Sequence, residues 1–578
     1  MRLLDDHPQR MARERQLLEE HARRTPGFAV HSWSATELGE LCVSFALKLL
    51  VGTFEGVLVY PELFPDVAAF VRPQKAGERW SSHQYLGSGV LCLQFGPDNW
   101  HRDITGVDLI RSATTLLWGE ILQAVVPDLG PLPSRHLETE AQALRKNSRR
   151  LVITAALRNV LAGASQASPL PVQGTVDWVG GESVAVITAT GDPSVQVSDV
   201  PGAVAQGPGV SLIGVAVAVP EAATLGSAKD ITDLQQRMGL AWPWAQGVEG
   251  LQLLVAHDVT GEVCAFLLSG GVKPWFERYH PLRFDGEAAQ RLPSTYSKLA
   301  TVSVGIVGLG SLGSKIAVSL ARAGVRRFLL VDDDALGPHN LVRNEFNWLD
   351  VGYSKVEAGV RALKLVAPGI EVKTRSMKVA TQTNPTVESG LAAELTACTL
   401  VVDATASASA FVALAALTKR AKTAMVWGEV FGGGGGCLMA RSRPGLDADA
   451  LGVRAHMHGV MKGMAAAPTA GVVDYGLESD GVVHVASDAD VSALAAFMAQ
   501  FCLDTLCAEV TDYPVAAYLT GFRKFWEFRC PFDVIPIDCS GALKADPEQM
   551  LSPDEEGALA AIRQSISEGA SVANHGSA

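Results

Sequence analysis

The chain has 578 residues, with 48 Lys+Arg against 61 Asp+Glu and a formal net charge of −13. At roughly 100–200 residues per domain, that length predicts about three or four domains, and a hydrophobic content of 48% excludes a mostly disordered chain. An acidic balance without Lys/Arg blocks argues against a nucleic-acid partner, because neutralising phosphates takes clustered cations.

Residues 9–24 alternate charge with leucine at helical spacing, and a second helix is predicted over 35–50. Strand-like pieces follow at 53–60 and 67–71 around a turn at Pro61 and Pro65, with a further apolar piece at 89–95. A long helix is predicted over 105–125. The proline-rich run at 126–133, VPDLGPLP, then marks a boundary, closing an α+β domain at 1–133. A basic helix over 139–161 leads into Ala/Gly/Ser/Val-rich strands such as 210–219 and 251–256, a mixed β-rich connecting domain at 134–295. From 302 the pattern becomes strand (302–307), helix (311–323) and strand (327–331). Strands at 399–402 and 423–427 flank an Ala-rich helix, and a glycine run follows at 432–436. Such alternation implies an α/β fold with a doubly wound, Rossmann-like parallel sheet over 296–545. Residues 546–578 read as a tail with a short helix.

Nine cysteines are spread singly and form no CxxC pair, so a structural zinc is not expected. Their odd number suits reduced thiols in a cytoplasm. The charged N-terminus does not read as a secretory signal. Apolar stretches such as 404–417 fall short of the ~18 residues a bilayer span needs. No membrane partner is expected.

GLGSLG, residues 308–313, lies between a strand and a helix, the context of a nucleotide-phosphate turn. Gly308 allows the tight turn, Gly310 lets backbone amides approach phosphates, and Gly313 permits close helix–strand packing. Asp332 ends the next strand, where a carboxylate holds ribose hydroxyls. DDDALGPHNLVRNEF then supplies Asp332, Asp333 and Asp334, Asn340, Arg343 and Asn344, and VGYSK supplies Lys355. Two cations aimed at phosphates serve no purpose in a dry hydride-transfer pocket. They suit an enzyme that cleaves ATP between the α and β phosphates, where charge builds on the leaving pyrophosphate.

The block GIVGLGSLGS…LLVDDDALGPHNLVRNEF…VGYSK…LVVDATAS resembles the adenylation domain of ubiquitin-activating enzymes and their bacterial ThiF/MoeB relatives, over about residues 275–540. The resemblance implies ATP and Mg²⁺ as cofactors, Asp332 at the ribose, Arg343 and Lys355 at the phosphates, and Asp403 near the magnesium. Asn340 and Asn344 would support the same loop. It also implies a homodimer, with Arg278 or Arg283 of WFERYHPLR reaching the other subunit's ATP. The family's Gln after the phosphate arginine is Asn344 here, and its second acid after Asp403 is Ala406, so metal coordination is expected to differ, with Asp334 a candidate ligand.

Nearer the N-terminus, YPELFPDVAAFV (60–71), HQYLGSGVLCLQF (83–95) and DNW (98–100) precede a helix in an order similar to the ubiquitin-conjugating fold. That resemblance covers about residues 10–130 and makes Cys92 the nucleophile that carries an acyl group as a thioester. His83 would orient its loop and Trp100 would pack. The family's His-Pro-Asn is His83-Gln84-Tyr85 here, so the oxyanion-stabilising Asn is absent, and either Asn99 or backbone amides stand as substitutes.

Together the resemblances imply adenylation of the free C-terminus of a small protein or signalling enzyme, then relay through Cys92 to an amine on a target protein. Such fusions resemble the activating–conjugating proteins of bacterial antiphage operons, including those tied to cyclic-oligonucleotide signalling (CBASS). The alternatives are an activator of a sulfur-carrier protein, a dinucleotide oxidoreductase, and a non-catalytic nucleotide-binding scaffold. The crossover stretch 442–486, where relatives place their own nucleophile, holds no cysteine. Direct transfer to Cys92, a replaced cysteine, or an oxyester on a hydroxyl such as Thr469 each answer that gap, while Cys437, Cys502 and Cys507 read as structural.

Overall fold

The computed structural model describes residues 2–81, 83–85, 88–125, 147–163, 169–205, 207, 209–238, 250–270, 275–283, 292–367, 369–380, 385–464, 476–479 and 482–543. The expected boundary at 126–133, the first part of the helix expected over 139–161, Thr469 and the tail at 546–578 lie outside the described residues. The chain forms two compact units, Met1–Lys146 and Asn147–Ala578.

In the first unit, helices α1 (Arg2–Asp6) and α2 (Pro8–Arg24) precede an antiparallel meander of β1 (Phe28–Ala35), β2 (Leu41–Leu49), β3 (Gly52–Tyr60) and β4 (Phe70–Pro73), and α3 (Gly106–Val125) follows. The helix expected over 35–50 is absent. LCVSFALKL is the strand β2, buried along nearly its whole length between β1 and β3, and cross-strand pairing overrides its helical propensity. The piece expected at 89–95 makes only a single bridge, Leu91 to Gln84. The fully buried Glu14 of α2 joins three elements: its Oε2 accepts from the Tyr60 hydroxyl and the Gly106 N–H, both at 2.8 Å. Arg10, 2.9 Å from Oε1, balances its charge.

The second unit contains two eight-stranded sheets and a two-stranded sheet of β19 (Gly476–Ser479) and β20 (Val482–Val485). Residues 149–153 are a strand, β5 (Arg149–Ile153), followed by a short helix, α4 (Ala155–Leu161), which corrects the helix expected across this stretch. β5 starts a mixed sheet with β6 (Leu170–Val179), β7 (Glu182–Thr190), β8 (Val195–Gln196), β9 (Val210–Ala218), β10 (Gly250–His257), β11 (Val263–Gly270) and β12 (Trp275–Arg283). The order is β5-β12-β11-β10-β9-β6-β7-β8, and β5 also pairs β7, so the connecting domain closes into a barrel. Alternate residues such as Leu151, Val176, Ile187, Leu253, Leu267 and Tyr279 fill its interior. The segment likened to an N-terminal arginine arm is β12: Arg278 donates to the Gly226 carbonyl at 3.0 Å, and Arg283 pairs with Glu262 at 2.5 Å.

The other eight-stranded sheet, in order, is β15 (Glu371–Arg375), β14 (Arg327–Val331), β13 (Ser303–Val307), β16 (Leu400–Asp403), β17 (Ala424–Phe431), β18 (Gly436–Ser442), β21 (Ala517–Gly521) and β22 (Asp533–Ile537). The first five strands are parallel and the last three antiparallel. Helices α5 (Ser311–Ala323), α6 (Lys355–Val366), α7 (Ala408–Ala421) and α8 (Asp488–Cys507) cover its faces, the α/β arrangement expected from the sequence. With 20 residues, α8 is long and apolar enough to cross a membrane, but it packs against α5 and β17 as a core helix of this domain.

Candidate active site

A cleft of about 920 Å³ opens at the carboxyl ends of the parallel strands, where the connections leave β13 toward β14 on one side and β16 on the other. Open α/β sheets hold their ligands at such a switch. Gly308 leaves β13 at φ +87°, its N–H donating to the Val331 carbonyl at 2.8 Å. A Cβ on Gly308 would meet the Ala404 carbonyl at 2.9 Å, and one on Gly313 would meet the Gly308 carbonyl oxygen at 1.8 Å. The turn therefore cannot close with larger residues at either position. Gly310 differs. It is the N-cap of α5 and lines the cleft, and a Cβ there would meet nothing within 4 Å. No protein neighbour demands its smallness.

Asp332 anchors the turn. Its Oδ2 accepts from the Leu309 N–H at 2.6 Å and its Oδ1 from the Asp334 N–H at 2.9 Å. Burial pushes its carboxyl up, against the pull of those two N–H groups and of Lys355. Lys355 starts α6 with its Nζ 2.6 Å from the Asp334 carboxylate and only 7% of the residue exposed. Arg343 donates to the Ala486 carbonyl at 3.1 Å, which fixes the guanidinium at the cleft wall. Asn340 Oδ1 accepts from the Gly337 N–H at 2.8 Å and shapes the loop between Asp334 and Arg343. The buried Asn344 ties that loop to the glycine turn, donating to the Leu309 carbonyl at 3.1 Å.

Gly308, Gly310, Asp332, Asp334, Asn340, Arg343 and Lys355 thus line one cleft, with Gly313 behind it. Asp403 does not line it. This carboxylate is buried and its Oδ1 accepts from the Thr405 N–H at 3.0 Å and the Thr405 hydroxyl at 2.7 Å. Burial pushes it up. It borders a side pocket of about 30 Å³ with Glu429, Arg454 and His458. Ala406 lies between pocket and cleft at φ +52°. For a divalent cation, the carboxylates of Asp332, Asp333 and Asp334 offer oxygens within 4.8 Å of one another. On the far wall, Lys378 and Glu429 were not singled out from sequence, whereas Gly432 belongs to the glycine run at 432–436. The signal was the wall's position just beyond β15 and β17, at the same carboxyl edge as the glycine turn.

In the first unit, Cys92 follows the Gln84–Leu91 bridge and donates its N–H to the His83 carbonyl at 2.8 Å. It is half-buried, whereas Cys530 is exposed and the other seven cysteines are buried. Burial pushes the Cys92 thiol up, a hydrogen bond from Tyr85 opposes this, and the charge of Asp98 adds to the rise. Trp100 donates its Nε1–H to the Pro65 carbonyl at 2.7 Å and packs near Phe64. Asn99 is committed to its own turn: it accepts from the Gly96 N–H at 2.9 Å and donates to the Gln94 carbonyl at 3.1 Å. Among the buried thiols, burial drives Cys437 up to about 12 and Cys398 and Cys539 to about 11, so these three are not ready nucleophiles.

The sheet and its cleft define a doubly wound α/β domain with a glycine turn and with Arg343 and Lys355 lining one cleft. Residues 286–519 match the model of the ThiF family. Over 98 residues the chain is 32% identical to ubiquitin-like modifier-activating enzyme 5 of Drosophila persimilis, covering 17% of this chain and 26% of the relative. The Xenopus laevis enzyme of the same name is 34% identical over 89 residues, 15% of this chain and 22% of its own. The chain spans about a quarter of the length of these curated relatives. Among solved structures, E. coli MccB is similar at a TM-score of 0.33 and 18% identity, over 45% of this chain and 68% of that one. E. coli MccB with ATP gives 0.32 and 17%, over 42% and 66%.

Proposed function

We propose that the ThiF-family domain uses ATP to adenylate the C-terminal carboxylate of a small protein or signalling enzyme. The observation that carries this reading is the convergence of the 308–313 turn, Arg343 and Lys355 on one cleft. The carboxylate oxygen attacks the α-phosphorus, the bond to the bridging oxygen breaks, and pyrophosphate leaves. Amides at the start of α5 receive phosphate oxygens, and Arg343 and Lys355 offset the charge that develops on the leaving group. Asp332 accepts from ribose hydroxyls. A magnesium ion would neutralise the phosphates, with Asp334 and its neighbours the carboxylates best exposed to hold it and Asp403 held back by its own turn.

We further assign to Cys92 the next step, attack on the acyl adenylate to give a thioester and AMP, and then transfer to an amine of a target protein. This rests on its half-exposed thiol and on an N-terminal unit whose helix–meander–helix order suits a conjugating-type domain. Carrying both activities on one chain raises the encounter rate between a short-lived adenylate and its acceptor. The setting assigned to such a fusion is antiphage defence, with the chain acting as a homodimer.

The test mixes the full chain with ATP, magnesium and the products of neighbouring genes, followed by gels with and without thiol reductant. A reductant-sensitive adduct, lost in Cys92→Ala while AMP release persists, is the expected outcome. Conjugation retained in Cys92→Ala sinks the relay, and AMP release retained in both Arg343→Ala and Lys355→Ala sinks the adenylation site.

A further inference from the structure

We infer that Tyr85 is a catalytic residue of the Cys92 acyl transfer, its phenol O–H donating to the oxyanion formed on the acyl carbonyl. This deepens, and rests on, the assignment of Cys92 as the acyl carrier. The Gln84–Leu91 bridge is antiparallel, with the Cys92 N–H bonded to the His83 carbonyl and the Tyr85 N–H bonded to the Val90 carbonyl at 2.9 Å. Opposed residues of such a ladder point to one face and alternate along it. Leu91 and Gln84 therefore share the inner face. Leu91 is buried, and Gln84 accepts from the Trp80 N–H at 2.8 Å and donates to the Glu78 carbonyl at 2.8 Å. His83, Tyr85, Val90 and Cys92 share the outer face, with Tyr85 diagonal to Cys92, a spacing an aromatic side chain spans. Tyr85 is 56% exposed on the same face as the half-buried Cys92 thiol and holds that thiol down against the rise from burial, so an acyl group arriving at the sulfur meets the phenol. The other side-chain candidate, Asn99, has its amide engaged at Gly96 and Gln94.

In the transfer step the amine nitrogen of the target bonds to the thioester carbonyl carbon, and the C=O π pair moves to oxygen, where Tyr85 donates a hydrogen bond without giving up its proton. Collapse re-forms C=O and breaks C–S, so the electron pair leaves on Cys92 sulfur. The extra proton of the attacking amine goes to water, and the products are an amide and the free thiolate.

The test uses the full chain with Cys530→Ser to remove the exposed thiol. Cys92 is loaded by exchange with a synthetic glycine-ended peptide thioester, and single-turnover discharge to free lysine is followed by mass spectrometry. Tyr85→Phe is expected to load to the same extent and to discharge about 10²-fold slower, the usual loss for one oxyanion donor. The pH midpoint of its Cys92 alkylation should also move upward. Tyr85→Asn, which keeps a donor, should discharge faster than Tyr85→Phe. Discharge of Tyr85→Phe at the parent rate, or equal slowing in the Phe and Asn variants, overturns the role of the hydroxyl while leaving the relay intact. Loaded parent protein that discharges no faster than the peptide thioester in free solution overturns the relay and the Tyr85 role with it.

Discussion

The three glycines of the 308–313 turn separate folding from binding residue by residue. Gly313→Ala drives a methyl into the Gly308 carbonyl at 1.8 Å, so its expected outcome is a lowered denaturant midpoint, with a loss of about 1–3 kcal/mol typical of overpacking. Gly310→Ala meets nothing, so the same unfolding curve should stay within about 0.5 kcal/mol of wild type while nucleotide affinity, measured by calorimetry, falls. Equal stability losses in both variants would contradict this division. Cys92 permits a pH prediction. Burial raises its thiol, so the neutral form persists above the ordinary cysteine midpoint and thiolate appears only as pH rises through the raised value. Alkylation of Cys92, read by peptide mass mapping, should therefore keep accelerating past that ordinary midpoint, and a plateau below it would refute the reading.

At the level of elements, sequence was most informative where one local rule acts alone. The strand–turn–helix at 303–323 was legible because a short apolar run, GLGSLG and an amphipathic helix follow one another without competition. β2 was not legible, because LCVSFALKL carries helix-compatible residues and becomes a strand only through its two neighbours. β5 was lost in a basic helical pattern for the same reason, since its partners lie far away on β7 and β12. Asp403 shows the limit for the site: its place at the end of β16 was readable, but not the Thr405 turn that occupies its oxygen. Arg441 on β18 is likewise invisible in sequence. It is fully buried, bonded to Asp504 at 2.5 Å, Thr511 at 2.9 Å and the Tyr513 carbonyl at 2.9 Å, and lies over the Phe501 ring at 4.4 Å. It fastens α8 and the following loop to the sheet. Arg441→Ala should cost about 3–5 kcal/mol by leaving Asp504 buried without its cation. Urea unfolding checks this, and a loss under about 1 kcal/mol would show the pair to be dispensable.

For the molecule as a whole, a nucleotide that binds only the folded α/β domain must stabilise it. ATP at 100 times its Kd should add about 2.7 kcal/mol, read as a raised thermal midpoint, and hydrogen exchange should slow at 308–313, 332–344 and 404–407. No shift with ATP and magnesium would remove the nucleotide from the cleft. The connecting barrel carries a different consequence, in time rather than in equilibrium. β5 is its first strand and β12 its last, yet Arg150 pairs with His280. During synthesis β5 therefore waits for one of its neighbours until nearly the whole barrel sequence has left the ribosome, and closure must offset a long loop entropy before it gains the β5–β12 pairing. The barrel is accordingly expected to close late, and the second eight-stranded sheet begins to be made just as that closure becomes possible.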